Sequence, residues 1–119
     1  MRSADERRAR NRSGRYAEWA AALTLMAKGY RILARREKTP LGEIDLIALR
    51  GRRIAFVEVK QRATREAAEA AITATQRARI RRAASLWLGQ NARYQSHDQG
   101  FDIVFVIGRH WPQHMENAL

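Results

Sequence analysis

The chain has 119 residues, with 23 Lys and Arg against 12 Asp and Glu and a net charge of +11. That length suits one hydrophobic core rather than two, and 45% hydrophobic with 29% charged residues excludes wholesale disorder. The absence of cysteine removes disulfides, thiolate metal sites and cysteine nucleophiles, and no run approaches the roughly 18 apolar residues of a membrane span. A cysteine-free chain fits a reducing cytoplasm, and the positive charge points to a polyanionic partner. Nucleic acid comes first, ahead of an anionic membrane surface. A merely solubilising surface is the plainer reading of the same charge.

Residues 1–15 hold six arginines, show no periodicity and lack the apolar centre of a secretory signal. They read as a flexible basic arm over 1–13, which is either a phosphate-contacting tail or an inert end. Residues 14–119 then form one domain. Tyr16, Trp19, Ala20, Leu23, Met26 and Ala27 recur at helical spacing, which predicts a helix with that face inward and Trp19 in the core. Gly29 ends it. "YRILAR" predicts a short strand, and Lys38 to Gly42 a turn.

Two strands are predicted at about 43–50 and 53–62, joined by Gly51-Arg52 as a two-residue hairpin loop with glycine first. Residues 64–75 are alanine-rich and leave two readings. A helix starts at Thr64, or a loop precedes a helix capped at Thr73, where Thr73 and Gln76 fit a capping box. Gln76, Ile80, Ala83, Ala84 and Trp87 form the inward stripe of that helix, and Arg77, Arg79, Arg81 and Arg82 lie off it. "GQNARYQSHDQG" predicts a loop. "FDIVFVIG" predicts a strand covered on both faces, and the end a strand remnant and a turn. The order α-β-β-β-α-β predicts an α/β fold, a mixed central sheet between helices.

The hairpin loop pairs Arg50 with Arg53, and so sets Asp45 opposite Glu58 and Glu43 opposite Lys60. Alternation puts Asp45, Glu58 and Lys60 on the face of Ile47, Phe56 and Ile54. Directly opposed carboxylates repel, and a fold gains nothing from placing them near its core. A divalent cation reverses the sign, and hard oxygen ligands suit Mg²⁺, with Mn²⁺ as the alternative. The competing account is a frayed, hydrated sheet edge, or one protonated acid. Lys60 favours a site, because an ammonium beside a metal-bound water or a phosphate oxygen is what phosphodiester cleavage needs.

Asp45 followed by Glu58-Val59-Lys60 after a hairpin resembles the PD-(D/E)xK nuclease signature. The string "GEIDLIA…FVEVKQR" resembles the YraN family of bacterial proteins, which has a restriction-endonuclease-like, three-layer α/β/α core. "GRYAEWAAALTLMAKGYRIL", with Gly14 and Glu18 on a G-x-x-x-E pattern, is similar to that family's opening helix. "FDIVFVIG" and "MENAL" are similar to its last core strand and its end. The resemblance covers about 14–119 and implies Asp45 and Glu58 as metal ligands and Lys60 as the catalytic lysine. It adds Glu18 as a further ligand, although a solvated helix glutamate reads equally well. Glu43 is a supporting or Lys60-pairing group.

The chain departs from that pattern twice, with Gln76 where lysine is common and Arg36 near a common asparagine. Gln76 either reaches a substrate phosphate as a neutral donor or serves only the cap. The resemblance implies a metal-dependent endonuclease acting on DNA or structured nucleic acid. The archaeal Holliday-junction resolvases share this layout, which implies junction cleavage by a homodimer. Arg62, Arg77, Arg79, Arg81 and Arg82 would hold the backbone without reading sequence. The rival is a non-catalytic nucleic-acid-binding module on the same fold, favoured by Gln76. His110 and His114 stand four apart, but Pro112 argues against a helical zinc pair, which leaves surface histidines. Tyr94 and Trp111 either pack at the surface or stack bases.

Overall fold

The computed structural model describes the backbone of residues 4–119 and the side chains of 15–119. Helix α1 spans Ala4–Ala27, followed by strands β1 (Arg31–Thr39), β2 (Gly42–Arg50) and β3 (Arg53–Arg62). Helices α2 (Arg65–Ala70) and α3 (Ala74–Gln90), a 3-10 turn at Ala92–Tyr94, and strands β4 (Asp98–Ile107) and β5 (Gln113–Met115) complete the chain. The arm expected over 1–13 falls on residues whose side chains, and at 1–3 the backbone, lie outside this description; the backbone from Ala4 is helical.

The five strands form one sheet in the order β1-β2-β3-β4-β5. Only β3 and β4 run parallel, which requires a crossover, and α2 and α3 supply it. The expected hairpin register holds, from Arg50 opposite Arg53 to Leu46 opposite Val57. Gly51 takes a φ of 58°, the conformation a II′ turn demands of its first central residue.

Both readings of 64–75 are realised, because each threonine caps its own helix. Thr64 Oγ1 accepts from the Ala67 N–H and Thr73 Oγ1 from the Gln76 N–H, at 3.2 and 3.1 Å. Thr73 is extended, with φ −110° and ψ 160°, so α2 cannot run into α3. Thr73→Ala removes one of these caps and is expected to cost about 1 kcal/mol, measured as a lower denaturant midpoint with an unchanged slope.

Each sheet face carries its own apolar cluster. Ile47, Ile54, Phe56, Ile103 and Phe105 pack with Ala68 of α2 and with Ile80, Ala83, Ala84, Trp87 and Leu88 of α3. The α3 stripe is therefore as the periodicity predicts. Tyr94 is core rather than surface, its ring stacked on Trp87 at 5.6 Å. On the other face Leu46, Ala48, Ala55, Val57, Val104 and Val106 pack with Ala17, Ala21, Ala22 and Leu25 of α1.

That last set overturns the predicted inner face of α1. Trp19 is 50% exposed and Tyr16 67%, with Leu23 and Met26 also outside. A sheet face already filled by Leu46 and three valines leaves room for methyl groups, so the helix turns its alanines inward.

A second buried feature lies on β4. Asp102 is fully buried within the apolar run. Both terminal guanidinium nitrogens of Arg53 donate to it at 2.7 Å, and the Asn117 N–H donates to it at 2.9 Å. His114 Nε2 stands 2.8 Å away, with its side chain 2% exposed, so this histidine is internal and not a surface group. Burial would raise the Asp102 carboxyl, but hydrogen bonds from Arg53, His114 and Asn117 outweigh it and hold it below the usual carboxylate range.

Candidate active site at the split between β2 and β3

The β2–β3 ladder stops at Leu46–Val57, the pair immediately before Asp45 and Glu58. Strict alternation would place Ile44 and Ile47 on opposite faces. Both belong to the cluster under α3, so the alternation resets between them, at Asp45. On β1 the irregularity is matched by Arg36, whose φ is 51°. Left-handed backbone is costly for most residues other than glycine. Asp45 Oδ2 accepts from the Val59 N–H at 2.8 Å, a donor that a continued ladder would direct at the β2 backbone. The carboxylate thus wedges the strands apart and is held in the gap.

Glu58 and Lys60 continue the Phe56 side of β3. Lys60 is buried, and its Nζ lies 3.3 Å from Glu58 Oε1. Asp45 and Glu58 line one pocket just beyond the last ladder pair, close enough for their charges to act on each other. Burial first, and the Glu58 charge second, push the Asp45 carboxyl up to about 7. Burial also raises Glu58, against the opposing pull of Lys60.

Glu43 was expected across from Lys60, yet Lys60 pairs with Glu58. Glu43 joins Glu18 and Asp45 instead, with one carboxylate oxygen of each within 4.8 Å of the others. Glu18 reaches the group because it is on the inward stripe of α1, preceding Ala21, Ala22 and Leu25 by three, four and seven residues. The aromatic stripe chosen from the sequence hid this. Arg36 Nε donates to both Glu18 oxygens, at 2.8 and 2.6 Å, and balances its charge.

From the opposite side, α3 brings Gln76 and Arg79 to a pocket of about 250 Å³ that they line with Glu43, Asp45 and Glu58. Gln76 Oε1 is buried there without a hydrogen-bond partner. The Thr73 cap uses the Gln76 backbone N–H, so its side chain is free to face the acids. Arg79 was grouped with the backbone-binding arginines, but one helical turn past Gln76 it shares the acids' pocket. Its stem crosses Gly42, where an added Cβ would fall 2.7 Å from Arg79 Cγ. Gly42 also has φ 144°, so glycine is required on both counts. The (i, i+3) spacing of Gln76 and Arg79 was the sequence signal for this pairing.

Of the remaining arginines, Arg62, Arg77 and Arg82 are exposed. Arg81, also exposed, packs over the Phe101 ring at 4.4 Å and donates to the Leu119 carbonyl. No helix among the described residues is long and apolar enough to cross a membrane.

The chain is therefore an α/β domain whose five-stranded mixed sheet opens at one place to gather acids, a lysine and an arginine. A family model described as "Uncharacterised protein family UPF0102" matches residues 17–106. Similar proteins include UPF0102 proteins of Methylorubrum extorquens (strain PA1), 54% identical over 94% of this chain and 88% of the relative, and of Chelativorans sp. (strain BNC1), 52% identical over 89% and 86%. A third, from Rhodopseudomonas palustris (strain BisB5), is 50% identical over 97% and 88%. The chain belongs to the UPF0102 family, the YraN family that its motifs resemble.

Proposed function

We propose that this protein is a metal-dependent nuclease of the restriction-endonuclease-like type, hydrolysing phosphodiester bonds of DNA or structured nucleic acid. The observation that carries the reading is the split at Asp45, where a half-buried acid pair lines an open pocket and a buried lysine stands against Glu58. Left alone, such a pair costs stability. Its donors fit a hard divalent ion: carboxylate oxygens of Glu18, Glu43 and Asp45 lie together, Glu58 lines the same pocket as Asp45, and Gln76 holds an orphaned amide oxygen. Bound there, Mg²⁺ or Mn²⁺ would lower the pKa of a water and neutralise phosphate charge.

Each residue of the chain then has a definite task. Asp45, anchored by the Val59 N–H, and Glu58 hold the ligand geometry. Lys60, desolvated beside Glu58, offers its ammonium to the charge that develops on the phosphate. Arg79 brings to the pocket the positive charge that glutamine at position 76 does not carry, and Gln76 remains a neutral partner for water or phosphate. Restored charge favours catalysis over the non-catalytic binding module. The test is incubation with duplex, single-stranded and four-way-junction DNA in Mg²⁺, Mn²⁺ and chelator, with Asp45→Asn as control. Cleavage that needs the metal and Asp45 supports the reading; metal binding with no cleavage on any substrate moves the assignment to the binding module.

Arg77 and Arg82, exposed on α3, are backbone contacts in this proposal. Replacing both with glutamine is expected to lower the slope of log K against log salt on duplex DNA by about two. Filter binding between low and physiological salt reads it, and an unchanged slope removes these arginines from the interface.

A further inference from the structure

We propose that the outward face of α1 is a stacking platform for the unpaired bases of single-stranded nucleic acid, leading into the carboxylate pocket. Binding by this platform stands by itself; its placement beside a cleaved bond rests on the nuclease reading above. The fold leaves an unusual surface here. Tyr16, Trp19 and Leu23 lie 67%, 50% and 59% exposed along the helix, and Trp111 stands 88% exposed beside them. They line a groove of about 600 Å³ together with Lys28 and Arg109. Apolar residues at this spacing would ordinarily be core, but α1 buries its alanines and keeps the aromatic stripe free.

The charges select the occupant. None of the described residues lining the groove is acidic, and Lys28 and Arg109 are cationic. The Arg35 guanidinium lies 4.1 Å from the centre of the Trp19 ring, in a cation–π contact. A second copy of the chain would bring the same cations against themselves. A single strand suits both features, since its bases present flat π-faces to aromatic rings and its phosphates meet the cations. A duplex does not suit them, because its bases are already stacked on one another.

Position links the platform to the pocket. Glu18, in the carboxylate group, and Trp19, in the groove, are consecutive on α1. Arg36 bonds Glu18 while its neighbour Arg35 covers Trp19. A strand that turns round α1 from the acids meets Trp19 one residue on, and the helix from Tyr16 to Met26 offers it a run of about 15 Å. The substrate class that follows is nucleic acid with an unpaired segment next to the bond that is cut.

The test uses the full chain in chelator, so that binding is read without cleavage. Labelled oligothymidylate and a duplex of equal length are titrated at one salt concentration with wild type, Trp19→Ala and Trp111→Ala. Each variant is expected to weaken single-strand binding roughly 5- to 150-fold, the worth of one base stack, and to leave duplex binding within about twofold. Both rings are largely outside the core, and Trp111 touches so little that its removal keeps the test sound even if Trp19→Ala folds poorly. Unchanged single-strand affinity in both variants overturns the platform, as does equal loss on single strand and duplex, or a wild type that ignores oligothymidylate. A wild-type dimer that Trp19→Ala dissolves in sedimentation, with single-strand affinity retained, makes this face a subunit contact. Binding to phosphatidylglycerol vesicles that Trp19→Ala abolishes, again with single-strand affinity retained, makes it a membrane contact. If Asp45→Asn still cuts while the tryptophan variants lose single strands, the nuclease reading fails and the platform survives.

Discussion

Asp45→Asn is expected to stabilise the metal-free protein at about pH 8 and to abolish metal-dependent cleavage. Asparagine has the same shape, and its amide oxygen can still accept from the Val59 N–H that Asp45 Oδ2 now engages. What it lacks is the charge. The Asp45 carboxyl is raised from 3.8 to about 7, chiefly by burial and next by Glu58. Between those two values the folded state holds a proton that the unfolded chain has released, so stability falls as pH rises through that window and levels off above it. Each pH unit of the shift is worth about 1.4 kcal/mol, which puts the cost at alkaline pH at roughly 2–4 kcal/mol. Asparagine removes it, so its advantage should vanish near pH 4 and grow towards pH 8.

Thermal melts across that range, with and without Mg²⁺, measure the effect. Wild type should gain stability from the ion by mass action, about 2.7 kcal/mol at a hundred times Kd. Asp45→Asn should gain little. A variant with the wild-type pH profile would mean that the Asp45 carboxyl is not raised by its surroundings, and a variant that still cleaves would end the nuclease assignment.

Lys60→Ala is expected to reduce cleavage by about 10²–10³-fold while nucleic-acid affinity changes only a few-fold. Loss of one preorganised positive donor to developing charge has about that effect on kcat, and a group that acts in the transition state contributes little to ground-state binding. Lys60 is buried against Glu58 at 3.3 Å, away from the exposed arginines that would hold the backbone. Its removal also strips Glu58 of the cation that opposes its raised pKa, so Glu58 should take up a proton more readily. The pH profile of residual activity should then shift to higher pH. Single-turnover cleavage and a binding titration in chelator separate the two quantities. Equal losses in both would make Lys60 a binding residue, and no loss would remove it from the site.

How much of this was legible in the sequence differs from element to element. The hairpin was legible because a two-residue loop with leading glycine permits one register, which holds up to Leu46 and Val57, the residues next to Asp45 and Glu58. The α3 stripe was legible because Ile80, Ala83, Ala84 and Trp87 are the single apolar face of that helix. The orientation of α1 was not. Two faces competed, one aromatic and one of alanines with Leu25, and hydrophobicity favours the larger side chains. The choice was steric, made by the space above Leu46, Val57, Val104 and Val106.

Three site residues followed from that choice and from α3. Glu18 entered the acid group when the alanine face turned inward, Glu43 turned away from Lys60, and Arg79 was carried over Gly42. The burial of Asp102, and of His114 read as a surface group, was not legible because the partners of Asp102, Arg53, His114 and Asn117, lie 12 to 49 residues away. By itself the sequence determined the β2–β3 hairpin and its register, the caps at Thr64 and Thr73, and the acid–lysine motif, all set by neighbours within a loop or a helical turn. Tertiary structure alone decided which face of α1 is buried, where the β2–β3 ladder opens, and which charges meet there. Those outcomes depend on volumes and contacts between segments far apart in sequence, and periodicity reports neither.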